Sequence, residues 1–233
     1  MSRSLGSTSS VSDLRALLEA GGAPSEHLDR LTRYGEAVLE ANRRFNLTGA
    51  KTAAEFAPHI LDSRSIAGLV RESLVDVGSG GGLPGIPLAI VIGVPVTLIE
   101  TTVKKARFLE ATLRELGLQG AVVAERAEVA GHDQRLRERF ATGTARAVAS
   151  PPTVAELVLP LLAIGGAAVL QRGSIDERER HALSDAALML GGQVESEMSL
   201  EGERRVIMVR KVSATPSRFP RRIGVPEKRP LCL

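Results

Sequence analysis

The chain has 233 residues, of which 43% are hydrophobic and 24% charged, and this composition excludes a wholly disordered polypeptide. Its single cysteine, Cys232, excludes an intrachain disulfide framework and a cysteine-rich zinc site. The polar start and the lack of an apolar run of about 18 residues argue against a signal peptide and a membrane span, so we expect a soluble, cytoplasmic protein with no membrane or metal partner.

The N-terminal part of the chain is predicted to be helical. Residues 1–10 are rich in serine and are expected to form a flexible tail. Leucines at helical spacing over residues 11–72 predict a helical extension. Thr52 and Glu55 have the spacing of a capping box and indicate a helix start, and Ser63 is expected to cap a further short helix.

From residue 73 onward, short β-prone runs alternate with helical stretches. Five runs are predicted as strands, and they begin at Leu74, Val96, Ala121, Ala145 and Ala167. Helices are predicted between and after them, over residues 104–116, 129–139, 154–164 and 177–190. Two last strands, joined by a loop at residues 200–203, suit an antiparallel hairpin at a sheet edge. The pattern predicts an α/β fold over residues 73–213, a Rossmann-like three-layer domain with a mostly parallel sheet, followed by a basic, proline-rich tail at 214–233.

A glycine-rich loop, DVGSGGGLPG at residues 76–85, follows the first predicted strand and opens a helix. Glycines allow the backbone to approach a ligand closely and leave the helix N-terminus free for contact. Glu100 ends the next strand, which places its carboxylate beside the loop, where it can accept hydrogen bonds from both hydroxyls of a ribose. Together, the loop and Glu100 predict a bound adenosine cofactor.

The loop alone leaves the identity of the cofactor open. Gly80, Gly82 and Gly85 match the dinucleotide fingerprint, which favours NAD. Asp76 precedes the first glycine, however, and a carboxylate there repels a pyrophosphate but suits the ammonium and sulfonium of S-adenosylmethionine. The chain also lacks a convincing proton relay for hydride transfer. S-adenosylmethionine is therefore favoured; an NAD-dependent oxidoreductase and a non-catalytic RNA-binding module with a relic cofactor pocket are the alternatives.

Further strings accompany the loop, and they are NLT at 46–48, HILDS at 59–63, RAE at 126–128, RAVA at 146–149 and PRRIGVPEKRPL at 220–231. With these strings, the chain resembles the glucose-inhibited-division-protein-B family from Asn46 to its C-terminus. The resemblance implies a methyltransferase that acts on N7 of one guanine in 16S ribosomal RNA, with S-adenosylmethionine as donor and a seven-stranded sheet. It implies 16S RNA or the small ribosomal subunit as partner, and we expect a monomer.

The site residues follow from the loop and from this resemblance. The predicted cofactor-binding residues are Asp76, Gly78, Gly80, Gly82, Leu83, Glu100, Ala127, Glu128 and Arg146. The resemblance assigns Gly78 and Leu83 to the methionine part and places Arg146, the one catalytic candidate, near the transferred methyl. The family usually has Lys-Gly after the fifth strand, where this chain has Arg172-Gly173.

The chemistry of guanine suits a chain without a general base. N7 carries a lone pair and no proton, so it attacks a sulfonium methyl directly. The RNA phosphates are expected to contact basic residues, namely Arg172, Arg218, Arg221, Arg222 and Lys228. His59 and Asp62 are expected to brace the N-terminal part against the sheet rather than to do chemistry.

Overall fold

The computed structural model describes residues 8–146, 149–200 and 204–233. The first seven residues of the expected tail, the middle of the RAVA string and most of the 200–203 loop lie outside the described residues. Helix α1 (Thr8–Ala20) begins inside the segment expected as a tail, so the predicted tail boundary at residue 10 is wrong. Serine is acceptable at the start of a helix, and its abundance there is therefore no sign of a flexible tail.

Three helices form the N-terminal part: α1, α2 (Ser25–Asn42) and α3 (Ala53–Arg64), the last followed by a 3₁₀ turn. Their apolar faces meet in a core that fully buries Leu14, Leu31 and Ile60. The hydroxyl of Thr52 accepts a hydrogen bond from the Glu55 N–H at 3.2 Å, which confirms the predicted cap. The predicted cap at Ser63 is wrong, because Ser63 lies inside α3 and donates its hydroxyl to the His59 carbonyl.

The sheet has seven strands in the order β3-β2-β1-β4-β5-β7-β6. The strands are β1 (Leu74–Val77), β2 (Val96–Ile99), β3 (Gly120–Val123), β4 (Phe140–Arg146), β5 (Leu162–Arg172), β6 (Gly192–Ser199) and β7 (Arg205–Lys211). The first five are parallel, and β7 runs antiparallel to both of its neighbours. The predicted mostly parallel sheet and its edge hairpin are confirmed.

Helices cover both faces of the sheet and complete three layers. They are α4 (Gly85–Ile92), α5 (Val103–Glu115), α6 (Ala127–Ala130), α7 (Pro151–Val158), α8 (Glu177–Met189) and α9 (Val225–Lys228). The N-terminal helices share one hydrophobic cluster with α4 and α5, and α7, α8 and the C-terminal segment form the other. The helical part therefore packs on the same face as the glycine loop's helix.

Two predicted helices are shorter than the pattern indicates. The helix expected at 129–139 begins at Ala127 and ends at Ala130, and turns follow it; Gly131 packs against Pro220, where a Cβ would lie 2.5 Å from the proline ring. The helix expected at 154–164 ends at Val158, since Pro160 follows and β5 begins at Leu162. The fourth strand begins five residues earlier than Ala145, at Phe140.

Candidate functional site

Parallel pairing brings the glycine loop and the acids to one edge of the sheet. Asp76 pairs in register with Leu98 of β2 and Thr144 of β4, so the carboxyl ends of these three strands lie side by side. Gly78 and Gly80 have φ angles of 72° and 56°, in the left-handed region that favours glycine. The loop after β1 therefore needs its glycines for its backbone conformation, and it brings main chain rather than side chains to this edge.

Two further glycines of the loop are required by packing. A Cβ on Gly82 would lie 2.6 Å from Ile86, and one on Gly85 would lie 2.7 Å from Leu98 and 2.9 Å from the Cβ of Asp76. Leu83, between them, packs against the hydrophobic cluster beneath the N-terminal helices. Close packing thus fixes the path of the loop against β1 and β2.

Asp76 is a fully buried carboxylate on which the positive charge of Arg146 acts. Its Oδ1 accepts a hydrogen bond from the Thr144 hydroxyl at 3.0 Å, whereas its Oδ2 is buried and has no hydrogen-bond partner among the described residues. Burial raises the pKa of Asp76 from its ordinary value to about 6. A buried carboxylate in this state favours a cationic or hydrogen-bond-donating ligand beside it.

Glu100 lies beside the loop and is 7% exposed. Its Oε2 accepts from the Gly80 N–H at 2.9 Å, and its Oε1 accepts from the Thr102 N–H at 2.7 Å. Each carboxylate oxygen has a second lone pair, so two backbone contacts leave the group able to accept two more hydrogen bonds. The backbone holds this carboxylate in the orientation expected for a pair of ribose hydroxyls.

A cavity of about 170 Å³ continues from the loop along the ends of β1 and β2. Gly78, Ala127 and Glu128 line it, as predicted site residues, together with apolar Ile99 and Leu157. The Oε1 of Glu128 accepts from the N–H of Gly224 at 2.8 Å. Its lining combines these apolar side chains with the charged Arg126, Glu128 and Glu227, which suits a flat heteroaromatic ring that carries hydrogen-bonding groups.

A second, larger cavity of about 570 Å³ lies on the β4–β5 side of the same edge. Arg146 ends β4 and reaches into it, with its Nη1 3.6 Å from the Asp62 carboxylate and 3.4 Å from the His59 carbonyl oxygen. Asp62 also pairs with Arg204 at 2.5 Å, and its carbonyl accepts from the Gln171 side chain at 2.9 Å. Asp62 thereby ties α3 to strand β5 and to the start of β7, which is the bracing role expected for it.

His59 lines the same cavity beside Arg146. Burial lowers the pKa of His59 below its usual value, and the nearby positive charge of Arg146 acts in the same direction, against the opposite pull of Asp62. The imidazole is therefore neutral at neutral pH.

The predicted RNA-binding residues divide into three groups. Arg172 lines the large cavity and donates from Nη1 to the Ala149 carbonyl at 2.7 Å; burial lowers the pKa of its guanidinium. Arg218, Arg222 and Lys228 are exposed, on the C-terminal segment. Arg221 is 25% exposed, and its guanidinium pairs with the fully buried carboxylate of Glu156 at 2.6 Å, so it serves as an ion-pair partner within the chain and its contact with RNA stays a prediction.

Sequence reasoning missed several residues of these cavities. Thr144 was overlooked because its role depends on β4 lying next to β1, and strand order is not written in the local pattern. Arg204 and Arg205 start the last strand beside the large cavity, and their paired charges at the start of β7 were a usable signal. Pro226 of the C-terminal segment lines the small cavity together with Glu128. The neighbouring Gly224 bonds to Glu128 across 96 positions of the chain, a separation that local patterns do not report.

Two general properties of the described chain bear on the site. None of the helices in the described ranges combines the length and apolar character that a membrane span requires. In those same ranges, no three His, Cys, Asp or Glu side chains are grouped as ligands for a metal ion.

Known proteins resemble this chain over most of its length. The sequence model of one family, GidB, described as rRNA small subunit methyltransferase G, matches residues 27–208. The ribosomal RNA small subunit methyltransferase G of Rubrobacter xylanophilus is 40% identical over 236 residues, with 93% of this chain and 89% of that protein covered. The protein of the same name from Trichormus variabilis is 38% identical over 219 residues, covering 87% and 89%.

A solved structure shows the same fold at low sequence identity. The structure of TYW2 from M. jannaschii in complex with AdoMet superposes with a TM-score of 0.51 at 16% identity, covering 65% of this chain and 73% of that one. This likeness supports the Rossmann-like architecture described above.

Proposed function

Because the chain belongs to the rRNA small subunit methyltransferase G family, we propose that it transfers the methyl group of S-adenosylmethionine to N7 of a guanine in 16S ribosomal RNA. Family membership makes the chain an rRNA methyltransferase, while the donor and the acceptor atom are the proposed part. The observation that carries the proposal is the buried Asp76 carboxylate, with one oxygen left without a partner in the described ranges, directly beside the glycine loop. An anionic dinucleotide would be repelled there, whereas a cationic amino-acid end is attracted.

The residues at this edge fit S-adenosylmethionine along its whole length. Asp76 would face its ammonium group, and the backbone of the glycine loop would run along its methionine part. Glu100 would accept hydrogen bonds from the ribose hydroxyls, since its two remaining lone pairs point away from Gly80 and Thr102. The cavity beside Ala127 would take the adenine. When bound, the sulfonium of the donor supplies an electrophilic methyl group.

The large cavity is the proposed place for the guanine and its phosphate. Arg146 lines the large cavity, and its guanidinium is held by Asp62 and by the His59 carbonyl. A guanidinium is always charged and presents several fixed donors, so Arg146 orients the base or its phosphate without changing protonation state. Positioning of this kind supplies about 7–11 kcal/mol in well-oriented reactions, which makes a general base unnecessary for an acceptor that carries no proton.

Incubation of the purified protein with S-adenosylmethionine and small-subunit RNA from cells lacking it tests the proposal. We expect one N7-methylguanosine in 16S RNA, mapped by mass spectrometry of nuclease fragments. Methylation of a ribose or of the exocyclic amine would contradict the acceptor atom. RNA binding without transfer would favour a relic cofactor pocket, and absorbance of a bound nicotinamide would favour the oxidoreductase alternative. The same substrate class implies action in the cytoplasm, and we propose that a monomer performs it.

The pH dependence of the chemical step tests the absence of a general base. With RNA and donor saturating, the single-turnover rate is expected to stay flat between about pH 7 and 9, because N7 carries no proton and a guanidinium stays charged throughout this range. A tenfold rise per pH unit across neutrality would instead show that a titrating group takes part in the chemical step.

A further inference from the structure

The C-terminal segment, residues 214–233, is packed against the domain and is not a solvated tail. Phe219 and Leu231 are buried in the hydrophobic cluster of α7 and α8. The guanidinium of Arg137 donates to the carbonyls of Thr215 and Phe219, at 2.6 and 2.8 Å. The ring of His132 contacts the Pro220 carbonyl at 2.7 Å. The segment therefore has a fixed path that leads to the small cavity.

One ion pair holds the part of the segment that reaches this cavity. Glu156 on α7 is fully buried and meets the Arg221 guanidinium through two parallel contacts, Nε–Oε1 at 2.9 Å and Nη2–Oε2 at 2.6 Å. The backbone N–H of Arg221 donates to the same carboxylate at 2.7 Å. The Nη2 of Arg221 also donates to the carbonyl of Arg229 at 2.8 Å. A single guanidinium thus fixes both ends of the loop formed by residues 221–229.

The middle of this loop forms one wall of the small cavity. The Gly224 N–H donates to Glu128 at 2.8 Å, and the carbonyl of Pro226 accepts from the Thr153 hydroxyl at 2.8 Å. Pro226 and Glu227 line the cavity opposite Gly78. Two hydrogen bonds therefore join the wall to Glu128 and to α7, and Pro226 is buried, within a loop whose ends are both held by Arg221.

We propose that Arg221 and Glu156 are positioning residues for the cofactor, which hold residues 224–227 as a preformed wall of the adenine cavity without touching the cofactor themselves. The inference rests on the proposed function, because it assigns the adenine to this cavity. A loop of nine residues that is ordered before binding loses little conformational freedom when the ligand arrives. Without the pair, the ligand must order the loop itself, and its affinity falls.

The test removes both residues of the ion pair, so that no buried charge is left without a partner. Loss of Arg221 alone leaves the Glu156 carboxylate buried and uncompensated, which is strongly destabilising. The double variant Glu156→Met/Arg221→Met removes both charges and keeps most of the volume. The matched control is Glu195→Met/Arg210→Met, which removes an arginine–glutamate pair of the same 2.6 Å length between β6 and β7. Thr153→Val is a milder variant that removes the hydrogen bond to Pro226 and leaves the pair intact.

The readout is calorimetric binding of S-adenosylhomocysteine at a temperature where each variant is folded. We expect a dissociation constant at least tenfold higher for the Glu156/Arg221 variant, about threefold higher for Thr153→Val, and unchanged within twofold for the control. In the unliganded protein, backbone amides of residues 222–229 should exchange at least tenfold faster, with the strands unchanged. In turnover, KM for the methyl donor should rise while kcat and KM for RNA stay within twofold.

Equal affinity of wild type and the folded pair variant would overturn the inference. If the pair variant does not fold, the affinity of Thr153→Val for S-adenosylhomocysteine provides the test. Unchanged affinity in that variant also overturns the inference. Failure of the wild-type protein to bind S-adenosylhomocysteine would instead contradict the proposed cofactor. Hydrogen exchange of the unliganded chain still reports whether the pair orders the loop, so the two failures are distinguishable.

Discussion

The two cavities at the carboxyl edge of the sheet differ in the charge they present and in how that charge is held. In the small one, the carboxylate of Glu128 accepts a hydrogen bond from a backbone N–H, and the Glu100 carboxylate, beside the neighbouring glycine loop, accepts from two more. In the large one, Arg146 and Arg204 pair with the carboxylate of Asp62, and Arg146 also donates to a backbone carbonyl. Backbone N–H groups therefore orient the carboxylates, whereas the Asp62 side chain and a backbone carbonyl orient the arginines.

This difference shows how one sheet edge can accept ligands of opposite charge. Carboxylates fixed by backbone amides keep their geometry, which suits a cofactor of constant shape. The guanidinium of Arg146 has five N–H groups, which suits a polyanion that arrives from solvent. Four substitutions probe this division.

Arg146→Ala tests whether the basic cavity does more than brace the fold. Asp62 keeps its contact with Arg204, so we expect the fold to persist and the single-turnover methyl-transfer rate to fall about 100-fold, the scale of a misplaced reactant. The slower rate should show no new pH dependence. Arg180→Ala, which removes an ion-paired arginine on α8, is the control. A rate within threefold of wild type would show that Arg146 only stabilises the fold and does not assist methyl transfer.

Glu100→Ala removes the carboxylate proposed for the ribose. We expect S-adenosylmethionine to bind more weakly by about 1.5–3 kcal/mol, the range for hydrogen bonds to a charged group. Isothermal calorimetry measures this change, with the exposed carboxylate of Glu125 removed as control. Unchanged affinity in a folded Glu100 variant would exclude this residue from the cofactor site.

Asp76→Asn tests whether the buried charge costs stability. The pKa of Asp76 is about 6 in the folded chain and 3.8 ordinarily, so between these values the folded state keeps a proton that the unfolded state has lost. The free energy of unfolding therefore falls as pH rises from about 4 to 6, and the deficit persists at pH 7. We expect Asp76→Asn to be more stable at pH 7.5 by about 1–3 kcal/mol and nearly neutral at pH 4.

Urea unfolding at both pH values measures this difference. An equal loss of stability at pH 4 and pH 7.5 would show that Asp76 is needed for packing and that its charge is not the cause. The same variant should bind S-adenosylmethionine less tightly, because an amide does not attract the ammonium group as a carboxylate does.

Arg172→Lys is expected to have the smallest effect. Lysine keeps the charge, and its ammonium can replace the single hydrogen bond that Nη1 gives to the Ala149 carbonyl. We expect kcat/KM for RNA to change less than about fivefold, which corresponds to roughly 1 kcal/mol. Arg172→Ala is the comparison and should lose more. A loss above 20-fold in the lysine variant would show that the planar guanidinium itself is required.

The glycine loop and the strands beside it could be predicted from the sequence because their signals are local. Apolar β-prone runs mark β1 and β2, and five glycines within ten residues mark a loop that needs positive φ angles. Glu100 follows from its place at the end of β2. The glycine loop and Glu100 are therefore near neighbours in the chain, and their position at the edge of the sheet could be predicted from the sequence.

The rest of the candidate site depends on contacts between distant parts of the chain. Arg221 looked like an exposed cation because it lies in a basic run, yet its partner Glu156 is 65 residues away in an otherwise apolar helix. The pairing of Asp76 with Thr144 spans 68 residues and depends on strand order. Local patterns report propensity and periodicity, and they contain no information on which distant element will cover a charge.

The late position of Gly224 has a consequence for synthesis of the protein. The hydrogen bond between Glu128 and Gly224 joins residues 96 positions apart. At translation rates of about 5–20 residues per second, roughly 5 to 20 s pass between the two. When Glu128 is added, strands β1 to β3 have been synthesised, and β4 to β7 follow before Gly224. The wall of the small cavity at residues 224–227 is thus completed only after the last strand of the sheet, so this cavity forms later in synthesis than the glycine loop beside it.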